Sequence, residues 1–200
     1  MESKRVEALA DGIFAIAMTL LILQVRVPQL EQPVTQRALW NALTRLTPHV
    51  MGYFVSFVLL GALWVGHHAQ FHFIRSVDRA LLWLNIAFLA CIGFIPFSTA
   101  LFSEYHRQPL AAAVYSATML IGVGFLYAQW EYATTGRRHV ADDLEEAIVT
   151  AGKRRMWIGF AIYLGAALVS FVNSAVGLAL FVVLPIIYLM PGPMDRHLKR

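Results

Sequence analysis

The chain has 200 residues, of which 58% are hydrophobic and only 14% charged, with a formal net charge of +4. A water-soluble domain is about one-quarter charged, so the composition excludes an ordinary soluble enzyme or binding domain and points to an all-α integral membrane protein. No polar stretch is long enough to fold separately, and the basic residues sit in short loops between apolar runs, where they set orientation in a bilayer and do not read as a nucleic-acid surface.

The first uncharged run, Gly12 to Val25, is only fourteen residues long. A helix needs about 20 residues to cross the hydrocarbon, so the first span is expected over 6–26, taking in Asp11. Within it Ile16, Leu20 and Leu23 recur at spacings of four and three, which places them on one helix face. An acidic residue at the mouth of a membrane helix is costly unless protein or water surrounds it. This helix is therefore expected to face the interior of an assembly. The run lacks a small-residue cleavage site, so it reads as a span and not as a cleavable signal peptide.

Pro28 and Pro33 punctuate the next loop, and the segment from Thr35 to Leu46 has the pattern of a short amphipathic helix lying at the interface. The second span is expected over 48–72 and ends in Leu63 to Phe73, which carries Trp64, His67, His68 and His72. The third, over 79–102, holds a lone amide, Asn85, and a kinking Pro96. The fourth, over 109–131, carries Gly122 and Gly124, which allow close helix approach. Residues 134–154 form a charged cytoplasmic loop or helix. Met156 to Met194 is uncharged throughout, and at 1.5 Å per residue would be about 58 Å long, nearly twice the core of a bilayer. It is read as two spans, 155–172 and 175–191, with a turn around Asn173, Ser174 and Gly177. The total is six.

Six spans put both termini on one side. Lys4, Arg5, Arg75, Arg79, Arg137, Arg138, Lys153, Arg154, Arg155, Arg196, Lys199 and Arg200 fall there, against Arg26, Arg37, Arg45 and Arg107 on the other. This bias places both ends in the cytoplasm of a multi-pass cell-membrane protein. Cys91 lies in an apolar run and reads as a small buried hydrophobe. The pair His68 and His72 has metal-ligand spacing, but the Glu of a zinc-protease motif is missing and no other ligand set is near in sequence. A polar network in which Trp64, His67 or His68, and Asn85 satisfy Asp11 and Arg5 is the better reading, because polar groups in hydrocarbon must find partners. Neither a nucleotide-binding loop nor a catalytic constellation occurs, and no enzyme activity, cofactor or metal is expected.

The block Arg5, Asp11 and Gly12 to Leu21, then Trp64 to His68, Asn85, and Ile95 to Phe97 resembles the transmembrane protein 175 family, the lysosomal potassium channels and their bacterial relatives. The likeness is specific over residues 5–100. Leu9 and Ala10 stand where the family has Phe-Ser before the Asp, so a hydroxyl of its helix-anchoring network is missing. The resemblance implies a homotetramer in which the first helix of each six-helix subunit lines a central pore conducting potassium and related monovalent cations. It implies that Ile16, Leu20 and Leu23 narrow that pore, that Thr19 bears on permeation, and that Arg5 and Asp11 belong to the structural network. Independently, no carbonyl filter segment occurs, and a throat of methyl groups gates by dewetting. Other classes stay open: a proton-coupled transporter or proton leak using Asp11 and His67 or His68, a heme- or metal-binding membrane enzyme using His67, His68 and His72, and a structural module without transport.

Overall fold

The computed structural model describes residues 3–172, and every described element is helical apart from turns and one isolated bridge between Ile74 and Val140. The helices are α1 (Ser3–Leu21), α2 (Gln36–Arg45), α3 (Thr47–Phe73), α4 (Arg79–Glu104), α5 (Pro109–Thr134) and α6 (Glu146–Val172). A 3-10 turn, Ile22–Gln24, extends α1. Four of these, α1 with its turn, α3, α4 and α5, are long and apolar enough to cross a membrane. The expected span 175–191, the turn at Asn173, and the basic residues Arg196, Lys199 and Arg200 lie outside the described residues. The charged segment before residue 155 is part loop and part helix: α6 starts at Glu146 and runs unbroken into the apolar stretch.

Local chemistry fixes the helix ends. The Thr35 hydroxyl accepts from the Ala38 N–H to start α2, and the Asp78 carboxylate accepts from the Leu81 N–H at 2.8 Å to start α4. These are side-chain caps for amide groups with no intrahelical partner. Pro48 and Pro109 occupy the first turns of α3 and α5, where a missing N–H costs nothing. After α5, Gly136 takes the left-handed conformation that favours glycine. Arg137 is left-handed too, and its guanidinium donates to the carbonyls of Ala141 and Leu144, which ties down the turn toward α6.

α4 is the organising element, packing against α1, α3 and α5, and α5 in turn carries α6. It passes through Pro96 as one helix. The carbonyls around the proline take side-chain donors. Ile95 O lies 3.0 Å from the Ser98 hydroxyl and 2.9 Å from that of Thr99, while Pro96 O accepts from the Gln24 amide at 3.1 Å. That last bond fastens the end of α1 to the middle of α4. α2 has no buried residue, and Leu39, Trp40 and Leu43 are all exposed on it.

Candidate functional site

α1 has two faces of unlike chemistry. Val6, Ala10, Phe14, Ala17 and Leu21 are buried, at spacings of four, four, three and four. Small residues at 10 and 17 let the helix lie close to its neighbours, while Phe14 inserts beside Phe88 at a ring distance of 5.9 Å. The opposite face points away from the subunit. Ile16 is 57% exposed, Leu20 41% and Leu23 65%. At about 100° per residue, Thr19 lies directly opposite the buried stripe, with Ile16 and Leu23 beside it and Leu20 at the edge. This ordering agrees with Leu20 being the least exposed of the three.

The Thr19 hydroxyl lies 2.8 Å from Ile16 O and 3.0 Å from Ala15 O. Its one proton is thus committed to the helix backbone, as is common for Thr within a helix. What remains to face outward is the oxygen, an acceptor with lone pairs. An oxygen so presented suits a cation and repels an anion.

The polar residues singled out in the sequence separate into two pairs. In the first, the Trp64 indole N–H donates to Asp11 Oδ1 at 2.7 Å, at the subunit surface, and His68 stacks on Trp64 with ring centres 5.7 Å apart. In the second, His67 Nε2 lies 2.8 Å from Asn85 Oδ1, fully inside. An amide oxygen only accepts, so Nε2 carries the hydrogen. The His67 ring is sandwiched by Phe71 at 4.4 Å and Phe88 at 5.4 Å. These pairs join α3 to α1 and α3 to α4. Arg5 is exposed and makes no side-chain hydrogen bond or ion pair among the described residues, so the arrangement does not include it. His72 is exposed and meets Phe73 edge-on, away from His67. Among the described residues no three of His, Cys, Asp and Glu gather as a metal would require.

Several polar contacts lie outside the residues picked from the sequence. Ser56 Oγ is 3.0 Å from the Tyr115 hydroxyl and 2.9 Å from that of Thr99, a buried chain joining α3, α4 and α5. His49 Nε2 meets Glu104 Oε2 at 3.1 Å across the ends of α3 and α4, and Lys153 pairs with Glu131 at 2.9 Å. Beside α4, His139 is buried with Nδ1 3.0 Å from Ser76 Oγ, and Nε2 3.3 Å from Asp78 Oδ2 but out of hydrogen-bond alignment. The partners in these contacts are 43 to 63 residues apart, except for the 22 between Glu131 and Lys153, and only helix pairing brings them together.

Comparison with known proteins places the chain in a family. The sequence model of the family described as endosomal/lysosomal potassium channel TMEM175 matches residues 5–96. A potassium channel of Streptomyces collinus is 39% identical over 178 residues, covering 84% of each chain. The human endosomal/lysosomal proton channel TMEM175 is 33% identical over 185 residues, which are 87% of this chain and 36% of the human one. Among solved structures, the crystal structure of a lysosomal potassium-selective channel TMEM175 homolog from Chamaesiphon minutus superimposes with a TM-score of 0.82 at 32% identity, over 93% of this chain and 95% of that one. The chain is a membrane protein that belongs to the TMEM175 family of ion channels.

Proposed function

We propose that this protein is a potassium-permeable cation channel, a homotetramer in which α1 of each subunit lines a shared axis and Ile16, Leu20 and Leu23 narrow the passage. The observation that carries the reading is the outward apolar face of α1, set opposite a fully buried stripe and carrying one hydroxyl whose oxygen faces out. A narrow apolar throat expels water and blocks ions until it widens. Tilt of α1 widens the passage and leaves the Thr19 oxygens, at the centre of the outward face, to give a passing cation a partial replacement for its hydration shell. The Trp64 bond to Asp11 holds the middle of α1, and the Gln24 bond to Pro96 O the turn at its C-terminal end, during such a movement. The excess of Lys and Arg in the N-terminal segment and in the α3–α4 and α5–α6 loops fits an orientation with both termini cytoplasmic. The potassium channels of Streptomyces collinus and Chamaesiphon minutus support potassium as the permeant ion.

Planar-bilayer recording, with potassium on one side and sodium on the other, tests this. Ile16→Asn and Leu23→Asn are each expected to raise resting conductance roughly tenfold, as lowering the barrier by about 1.4 kcal/mol would do, and to weaken the preference for potassium. Unchanged conductance and unchanged preference in both variants defeat the pore assignment.

A second reading is favoured by the vertebrate relatives being described as proton channels. There the ion is a proton, relayed by Asp11 and His67 or His68. The Asn85 amide next to His67 carries no titratable proton onward, which weighs against a relay at His67. Proton flux into acid-loaded liposomes that vanishes in Asp11→Asn and His67→Gln, with the oligomer intact, is the result that selects this reading.

A further inference from the structure

A groove of about 100 Å³ runs between α5 and α6, bordered by Val123, Gly124 and Tyr127 on one helix and by Met156, Trp157 and Phe160 on the other, so its walls carry no charge. Gly124 makes room in it, because no atom lies within 4 Å of where a Cβ would stand. Trp157 is 58% exposed and meets Tyr127 and Phe160 edge-on, with ring centres 5.9 and 5.6 Å away. One turn further out, Lys153 bridges to Glu131 at 2.9 Å. α5 has 26 residues and is about 39 Å long, against about 30 Å of hydrocarbon. Glu131, three residues before its end, therefore sits at the edge of the hydrocarbon, level with Lys153. Next to Lys153 on α6, Arg154 is exposed and makes no hydrogen bond or ion pair among the described residues. Arg155 borders a second cavity, of about 40 Å³, that shares Val123 and Met156 with the groove.

We propose that this groove holds one anionic phospholipid from the leaflet on the side of the α5–α6 loop, with its phosphate beside Arg154 and Arg155 and one acyl chain along Gly124 and Trp157. The order of chemistry along the groove matches such a lipid from head to tail. Basic side chains stand at the level of the phosphate, amphipathic rings follow where the chains begin, and uncharged walls continue inward. Charge selects an anionic headgroup. Glu131 is committed to Lys153, which leaves two guanidinium groups beside the groove. The acids of the preceding loop do not cancel them: Glu146 starts α6 eight residues before Arg154, about 12 Å away along the helix, beyond the screening length of about 8 Å at physiological salt. A zwitterionic lipid would bring its own ammonium into this basic surrounding, whereas a net negative lipid gains from it. The groove is separate from the outward face of α1, so its occupancy does not depend on how ions cross.

The test is quenching of tryptophan fluorescence in the full chain, reconstituted into bilayers that carry dibrominated phosphatidylglycerol or dibrominated phosphatidylcholine. The Trp157 signal is the part lost in Trp157→Phe. The part lost in Trp83→Phe serves as reference, since Trp83 is equally exposed near the start of α4. Trp157 is expected to be quenched at a mole fraction of the anionic lipid roughly fivefold to twenty-fivefold below that of the zwitterionic one, a factor of about five for each arginine. Arg154→Gln should remove one such factor and Arg154→Lys should keep it, while 1 M salt should shrink the preference in the unaltered protein. Gly124→Leu fills the groove and should abolish the preference at Trp157. Equal quenching by the two lipids overturns the site, by leaving only the bulk lipid around any membrane protein. A preference as large at Trp83 overturns it too, by assigning the effect to the charge of the whole surface, as does a preference that survives both Arg154→Gln and Gly124→Leu. No quenching of Trp157 by either lipid means that protein covers the groove, and the proposal fails.

Discussion

Two of the hydrogen bonds that join α3 to its neighbours have surroundings that give them unequal weight. His67 and Asn85 are both buried, and removing one partner leaves the other without water to turn to. Asn85→Ala is therefore expected to destabilise the folded protein by about 1–3 kcal/mol. The Asn85 amide nitrogen already lacks a hydrogen-bond partner, so part of that loss is returned and the lower half of the range is the better estimate. Trp64 and Asp11 sit at the subunit surface. Trp64→Phe keeps a ring against His68, loses one N–H, and should cost only about 0.5–1.5 kcal/mol. Chemical unfolding of the purified protein, compared across the two variants, measures the order. If Trp64→Phe proves clearly the more damaging, the Asp11 carboxylate is in a drier place than the isolated subunit suggests, shielded by neighbouring copies. The same comparison separates support from conduction: neither change touches the outward face of α1, so ion preference should stay as in the parent protein.

The helices themselves were legible because charge interrupts the sequence where each ends. Arg75 and Asp78 separate α3 from α4, and Arg107 separates α4 from α5, so uncharged runs marked the boundaries. Pairing between helices was less accessible. Ser56, Thr99 and Tyr115 meet only because three helices pack in one particular register, and isolated hydroxyls in apolar runs carry no signal of one another. The α3–α4 turn shows the same limit: nothing in the sequence ties Asp78 to a residue on α5, yet it caps α4 and also accepts from the Tyr132 hydroxyl at 2.7 Å. The Leu81 N–H, and after it the Tyr132 hydroxyl, hold the Asp78 carboxyl below the usual carboxylate range. A folded-state value below the unfolded one means that the contribution is complete above the unfolded value, about 3.9, and is lost as pH falls through the folded one. Thermal unfolding in detergent should show α4 losing stability as pH is lowered below that point. Asp78→Asn keeps a capping side chain but has no carboxylate to protonate, and should flatten this part of the profile. An unchanged profile would mean that other acids dominate it.

Exposed leucines on a membrane helix have two explanations, and only the assembly tells them apart. Lipid covers an apolar face as readily as protein does, and without a hydrophobic driving force inside the bilayer helices associate by packing and hydrogen bonds. The stripe Ile16, Leu20 and Leu23 was visible in the sequence, but its periodicity fits either cover. The structure of one subunit adds that Thr19 and its outward oxygen lie at the centre of that face, which lipid has no use for and a cation does. Family membership adds that relatives are channels. What a shared axis requires beyond this is proximity of the same residue in different copies. Cys91 is the one cysteine, so Cys91→Ser gives a clean background. In it, Leu23→Cys should form covalent dimers on mild oxidation in native membranes, because a disulfide forms only where Cα atoms come within about 7 Å, a separation that a throat lined by neighbouring copies of α1 provides. Leu110→Cys, at an equally exposed position on α5 and away from α1, should stay monomeric on the same gel. Dimers from Leu110→Cys in equal yield would reflect random collision in the membrane. No dimers from Leu23→Cys, or from Ile16→Cys in parallel, would mean that α1 faces lipid, and the dewetted throat would lose its walls.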